Sequence, residues 1–423
     1  MTRRRFLSGL TGAALALGGR DARAGAGIPA PSAAGGDGPI AAVRAATGAG
    51  FAGLWDEPRF ELQVIYTRID RRPGAAPQLT HFHHGVVAER WFAPASLVKL
   101  PVAALALERV LELAGRGVDR DSPLVLRGPP RCAQSAALES ESVARAIRRM
   151  FVVSENDPYN RLYELLGQDR IHARLADVGC PMSRVISRIA ACSAVDNRTT
   201  GPSEFRAPDG RVIAINGPAA VARERAFPHG RALKGRAWVE GRKITPGPHD
   251  FSASNFMPLE EAHRMLIAIV LPEALPAGQR FRLDAAARAY LRQCMGMLPD
   301  ECTDPVYDAR SFPATYAKYL IGGGGMAALP AGVRSFNKVG RSYGYLADCA
   351  YICDAARGAE FFLSASLYVN QDDILNDGKY EYRETGWPML AALGRAALEV
   401  DAARLRAHPA VPFGADGRFG PLA

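Results

Sequence analysis

The chain has 423 residues, 48% of them hydrophobic and 22% charged, with a formal net charge of +9. That composition can bury a large core, which excludes a disordered or fibrous chain. Residues 1–24 hold five arginines and one aspartate, so four of the nine net charges sit there. The rest are too diffuse for nucleic acid, because no stripe of Lys and Arg interleaved with aromatics is present.

The first element is an address. Arg3-Arg4-Arg5-Phe6-Leu7 precedes the apolar stretch Leu10 to Leu17, and Ala22-Arg23-Ala24 offers a small-x-small cleavage site. This pattern predicts a twin-arginine export signal over 1–24 and a periplasmic or secreted location. The apolar stretch is far shorter than the roughly 20 residues that span a bilayer, so no membrane span is expected in the mature chain. Residues 25–50, rich in Ala, Gly and Pro, read as a flexible leader.

Glu61 to Thr67 and Val86 to Ala88 are strand-like, joined through the turn-rich Arg71 to Pro77. FAPASLVKLPVAALALERVLEL follows, predicting a helix to about Leu113 with Ser96 and Lys99 at its head. Three apart on a helix, the two side chains share a face, and the amine can take the hydroxyl's proton. Burial among apolar neighbours would lower that amine's pKa, as a base requires. Pro101 lacks an N–H, which orphans the carbonyl of Leu97 and predicts an irregular first turn.

From Ser140 to Val178 the periodicity is helical, with Ser154-Glu155-Asn156 in a loop between two helices. Pro258 to Val270 and Asp284 to Met297 add two more helices. Ser335 to Lys338, Tyr345 to Ile352 and Phe361 to Val369 read as strands, and Trp387 to Leu405 as a closing helix. Strands early and late around a helical middle imply an α/β (α+β) fold. One antiparallel sheet is built from both chain ends, about 51–114 and 330–408, with a helical subdomain, about 115–329, inserted and a tail over 409–423. A cleft between the two parts is the expected site.

Ser96-x-x-Lys99, Ser154-x-Asn156 and Lys338-Val339-Gly340 stand in this order, 58 and then 184 residues apart. Together they resemble the signature of penicillin-recognising serine hydrolases, the class A β-lactamases and penicillin-binding proteins. The resemblance covers most of Phe51 to His408 and implies the β-lactamase/transpeptidase-like fold. It implies that Ser96 attacks a carbonyl to form an acyl-enzyme, with Lys99 as base and Ser154 relaying a proton to the leaving nitrogen. Asn156 would hold the substrate amide, and Lys338, beside Gly340, would face a substrate carboxylate. The backbone N–H groups of Ser96 and Arg341 would form the oxyanion hole. The implied activity is acyl transfer on an amide or ester. A cell-wall D-Ala-D-Ala peptidase or transpeptidase, and a binding protein without turnover, are the alternatives. A small-molecule or peptidoglycan-derived substrate, no cofactor, no metal, no nucleic-acid partner and a monomer are expected.

Two departures matter. Val339 replaces the hydroxyl residue of Lys-Thr-Gly, removing one donor to a substrate carboxylate. Class A β-lactamases also carry a Glu-x-x-Leu-Asn loop whose glutamate activates the deacylating water, and Gly179 to Val195 contains no Asp or Glu. The long segment Asp196 to Ser254 resembles an enlarged form of that loop, with Asp196, Glu204 and Glu224 as candidate bases. Slow turnover of ordinary β-lactams is the expectation.

The seven cysteines permit disulfides, with Cys294–Cys302 or Cys180–Cys192 the expected pairs. Cys349 and Cys353, four strand residues or roughly 13 Å apart, cannot bridge each other. His81 and His83 share a strand face but have no evident partner for a zinc site, so they read as strand surface. Asp372, Asp373 and Asp377 fit a turn better than a calcium loop.

Overall fold

The computed structural model describes residues 38–127, 132, 140–222 and 224–408. The export signal, the first part of the leader and the tail lie outside the described residues.

Strands β1 (Gln63–Asp70) and β2 (Gln78–His84) share one antiparallel sheet with β3 (Val333–Ser342), β4 (Tyr345–Asp354) and β5 (Ala359–Tyr368), in the order β3-β4-β5-β1-β2. The pairing of β1 with β5, in which Tyr66 faces Leu363, joins the two ends of the chain. Both faces of this sheet are covered, so β4 and β5 are buried along their whole length. Alternation sorts the side chains: Val64 and Tyr66 lie in one apolar cluster with Leu390 and Leu393, Ile65 and Ile69 in the other with Leu266 and Ile269. The fold is a mixed α/β sandwich of helix, sheet and helix, as the distribution of strands implied.

The longer helices are α1 (Pro39–Thr47), α2 (Lys99–Glu112), α3 (Val143–Val152), α4 (Asn156–Leu166), α5 (Gln168–Asp177), α6 (Leu259–Val270), α7 (Ala285–Gly296) and α8 (Trp387–Ala402). Eleven of the fourteen residues of α2 are buried. A helix apolar all round belongs at the centre of its layer, which desolvates whatever stands at its first turn. Among the described residues, no helix is long and apolar enough to cross a membrane.

Several elements differ from the sequence reading. The leader was expected to run to Gly50, yet Pro39–Thr47 is helical, with Val43 in the sheet's apolar cluster beside α8 residues. The second strand is Gln78–His84 rather than Val86 to Ala88. It ends at Gly85, where φ is +63° and a Cβ would lie 2.2 Å from the Leu62 carbonyl. Only glycine fits there, so the chain turns before the valines. The segment from Asp196 to Ser254 is built of short strands: Ser203–Arg206 and Val212–Asn216 join a four-stranded sheet, and Ala237–Glu240 pairs with Ile374–Leu375.

The disulfide is Cys132–Cys192, with Cα atoms 4.7 Å apart. Cys180, Cys294, Cys302, Cys349 and Cys353 are free and buried, which corrects both expected pairs. Cys180 packs with its Sγ toward the carbonyls of Val178 and Glu261, inside the helical layer.

The histidines of β2 also differ from a strand surface. Thr67 Oγ1 lies 2.7 Å from His81 Nδ1 and 2.8 Å from His263 Nε2, and His263 Nδ1 is 2.8 Å from Ser364 Oγ. Burial and the neighbouring His83 hold His81 down at about 4, and burial holds His263 well below the ordinary range. Both rings are therefore neutral when folded, and the unfolded chain binds more protons between about pH 6.5 and 4. Stability is expected to fall across that window as pH drops, by up to about 3 kcal/mol for His81. Denaturant midpoints from pH 7 to pH 4 check this, with His81→Gln expected to flatten the profile.

Candidate active site

Ser96 lies in a 3₁₀ turn, Ala95–Val98, that leads into α2, and Ala95 has φ +44°. Pro101 explains the tight turn, since the carbonyl of Leu97 has no N–H to receive four residues on. Lys99 is fully buried. Its Nζ lies 2.5 Å from the Ser154 carbonyl oxygen, 2.8 Å from Asn156 Oδ1 and 2.9 Å from Ser96 Oγ. Ser154 Oγ is further away, at 3.3 Å.

Protons can be counted from this geometry. A carbonyl and an amide oxygen only accept, so a neutral amine gives its two protons to Ser154 O and Asn156 Oδ1. Its lone pair is then left for the remaining close neighbour, the Ser96 hydroxyl, which can donate. Desolvation first, and then the charge of Lys338, lower the Lys99 pKa well below the ordinary lysine value, against an opposing pull from Glu155.

Ser154 carries φ +64°, a left-handed conformation that costs a serine of order 1–3 kcal/mol. Its surroundings hold it there. Lys99 takes its carbonyl, and Lys338 Nζ donates to its Oγ at 2.8 Å. The next residue, Glu155, accepts from Arg149 at 2.5 and 3.1 Å and from the Tyr307 hydroxyl at 2.7 Å. Ser154 Oγ thus stands between two lysines. Asn156, exposed at the start of α4, turns its Oδ1 to Lys99, which leaves its NH₂ for the cleft.

Strand β3 forms the other wall. Lys338 is buried, and desolvation brings its pKa down to about 7 against the attraction of Asp348. Tyr343 and Gly344 both have positive φ, the signature of a two-residue type I′ hairpin between β3 and β4. Ser342 and Tyr345 are then a hydrogen-bonded pair, and by alternation Arg341 turns its backbone N–H to the open edge of the sheet. A Cβ at Gly340 would lie 2.5 Å from the Pro94 carbonyl, so this edge abuts the turn that carries Ser96. The Arg341 guanidinium is 5.6 Å from the Trp387 ring centroid and 5.9 Å from that of Tyr382; what it offers the cleft is its backbone amide. Val339 is buried in the cluster under the sheet, so it acts in packing.

Ser96, Lys99, Ser154, Asn156 and Lys338 are joined by hydrogen bonds, with Gly340 and Arg341 against the same turn. Sequence reasoning missed the supports. Asn160, one helical turn after Asn156, holds the backbone of Ile189: its Oδ1 accepts from Ile189 N at 2.8 Å and its Nδ2 donates to Ile189 O at 3.3 Å. This lays residues 187–191 beside Asn156, and no acid is among them. Behind Lys338, the buried Lys318 donates to Asn337 Oδ1 at 2.7 Å, and Asn337 Nδ2 donates to Asp348 Oδ1 at 2.8 Å. Burial pulls Lys318 down and pushes Asp348 up. The Asn-x-x-x-Asn spacing of 156 and 160 on one helix face was a readable signal; the Lys318 chain had none.

Of the candidate bases, two are bonded elsewhere and the third is exposed. Asp196 accepts from Ser193 Oγ at 2.6 Å, Glu204 pairs with Arg127 and Arg206, and Glu224 is exposed. Among the described residues, no group of three or more His, Cys, Asp or Glu could hold a metal ion.

The family described as Beta-lactamase enzyme family matches residues 78–207, the segment that carries Ser96, Lys99, Ser154 and Asn156. Over that segment the chain is similar to the β-lactamase enzyme family. No curated protein matches it. Among solved structures it is similar to a β-lactamase from Sphaerobacter thermophilus DSM 20745, at 15% identity over 85% of this chain and 96% of that one, with TM-score 0.48. A β-lactamase from Xanthomonas campestris pv. campestris str. ATCC 33913 gives 16% identity, 86% and 98% coverage and TM-score 0.46. An ancestral class A β-lactamase gives 17%, 84%, 99% and 0.44.

Proposed function

We propose that this chain is an exported serine hydrolase that acylates itself on Ser96 with β-lactam-like amides bearing a carboxylate, and releases the acyl group slowly. The observation that carries this reading is the bonding of Lys99, whose two obligate acceptors leave its lone pair for the Ser96 hydroxyl. Lys99 takes the proton as Ser96 Oγ attacks, and the amide N–H groups of Ser96 and Arg341 receive the developing oxyanion. Ser154, bonded to Lys338, passes a proton to the leaving nitrogen. Lys338 faces the substrate carboxylate, and the Asn156 NH₂ holds the amide carbonyl. Export by the twin-arginine route rests on Arg3-Arg4 with Phe6-Leu7.

Labelling with a fluorescent penicillin, followed by intact mass over time and peptide mapping, tests the reading. A single adduct on Ser96, absent from Ser96→Ala, is expected. Label on another serine, or undiminished label in Ser96→Ala, overturns it. An adduct that stays for hours would favour the peptidase or binding-protein alternatives over a hydrolase that turns over.

A further inference from the structure

Resting on that reading, we propose that residues 231–255 build an aromatic wall at the acyl end of the cleft, selecting substrates whose acyl substituent carries a flat apolar ring. Strand β3 gives the direction. From Lys338 it passes Gly340, which abuts the Ser96 turn, and reaches Tyr343 at the hairpin, about 16 Å further on at 3.3 Å per residue. A substrate with its carboxylate at Lys338 and its carbonyl at Ser96 directs its acyl substituent toward Tyr343.

There the inserted segment meets both walls. Tyr343 lies 5.6 Å from Trp238 and 5.1 Å from Phe251; Phe251 stacks on Trp91 at 4.2 Å, and Trp238 on His249 at 3.7 Å. Trp91 and Phe251 are the buried base, while Trp238, His249 and Tyr343 form a part-exposed rim. Trp91 Nε1 donates to the Asn255 carbonyl at 3.2 Å, and Asn255 Oδ1 accepts from Ile186 N at 2.8 Å and Ser187 N at 3.0 Å. The wall is therefore continuous with the loop that Asn160 holds beside Asn156.

Its polar neighbours are engaged. Lys234 donates to Glu61 at 2.7 and 2.8 Å, and Asp250 accepts from Ser252 at 2.5 Å and Arg231 at 2.9 Å. A rim of rings whose polar neighbours are bonded to one another suits an apolar ring better than a polyol.

The test compares two β-lactams that differ only in the acyl substituent, phenylacetyl against acetyl, by the second-order rate of Ser96 acylation and by calorimetric binding to Ser96→Ala. The parent is expected to favour phenylacetyl by about tenfold or more. Trp238→Leu and Tyr343→Leu should bring the ratio to within about threefold of unity, while Trp238→Phe keeps most of it. Equal rates in the parent, or a ratio unmoved in both leucine variants, overturns the wall and leaves the Ser96 reading standing. If neither compound labels Ser96, yet Ser96→Ala binds phenylacetyl more tightly and loses this with Trp238→Leu, the hydrolase reading fails and the wall stands. Neither label nor preferential binding overturns both. Melting temperature screens each variant for folding, and Trp238→Phe carries the comparison with the parent if the leucine variants unfold.

Discussion

Lys99→Met is expected to slow acylation of Ser96 by roughly 10²- to 10⁴-fold, the usual loss when a positioned base is removed. The argument is one of proton counting. Lys99 Nζ has Ser154 O, Asn156 Oδ1 and Ser96 Oγ within 2.9 Å, and of these three only the serine can give up a proton. The parent should therefore acylate faster as pH rises through the lowered Lys99 pKa, because the neutral amine is the active form. Lys338 works in the opposite sense. Its pKa of about 7 means that its charge is lost as pH rises through that value, so the binding of a carboxylate-bearing substrate should weaken on the alkaline side. Acylation efficiency against pH should be a bell, and Lys338→Ala should remove the alkaline limb chiefly through KM. Stopped-flow acylation by a chromogenic cephalosporin from pH 5 to 10 measures both limbs. A Lys99→Met rate within threefold of the parent would reject lysine as the base.

How far residues alone reveal such a site depends on whether its parts are local. Ser96 and Lys99 share one turn, and the apolar run after them predicted both the buried helix and the lowered amine. Pro101 marked the irregular start that the structure holds as a 3₁₀ turn. The β3–β4–β5 meander and the closing helix were legible because alternation and helical periodicity are short-range signals. Pairings across long separations were not. Cys132 meets Cys192 because the folded backbone brings their Cα atoms within reach, which spacing in sequence does not report. The Thr67 hydroxyl links His81 to His263 from a different layer, so β2 read alone resembled an exposed histidine strand. Val339 shows the same limit in the site itself. As a letter in a motif it was a missing hydroxyl, whereas alternation along β3 sends its side chain into the core.

The absent carboxylate carries the last expected result. Rapid-quench kinetics with a chromogenic cephalosporin should give a burst of one product per Ser96, followed by a phase roughly 10²- to 10⁴-fold slower, the range for a step that lacks its general base. Acylation has Lys99 in place. Deacylation needs a second base to activate water, and residues 187–191, whose Ile189 backbone Asn160 holds, contain no acid. The nearest acid in sequence to the nucleophile's partner loop, Glu155, is held by Arg149 and Tyr307 and acts in holding Ser154. Asp196→Asn, Glu204→Gln and Glu224→Gln should therefore leave the slow phase unchanged, since these carboxylates are bonded to Ser193, to Arg127 and Arg206, or exposed. Burst-free turnover that one of the three substitutions abolishes would mean that the inserted segment delivers a base to the acyl-enzyme after all.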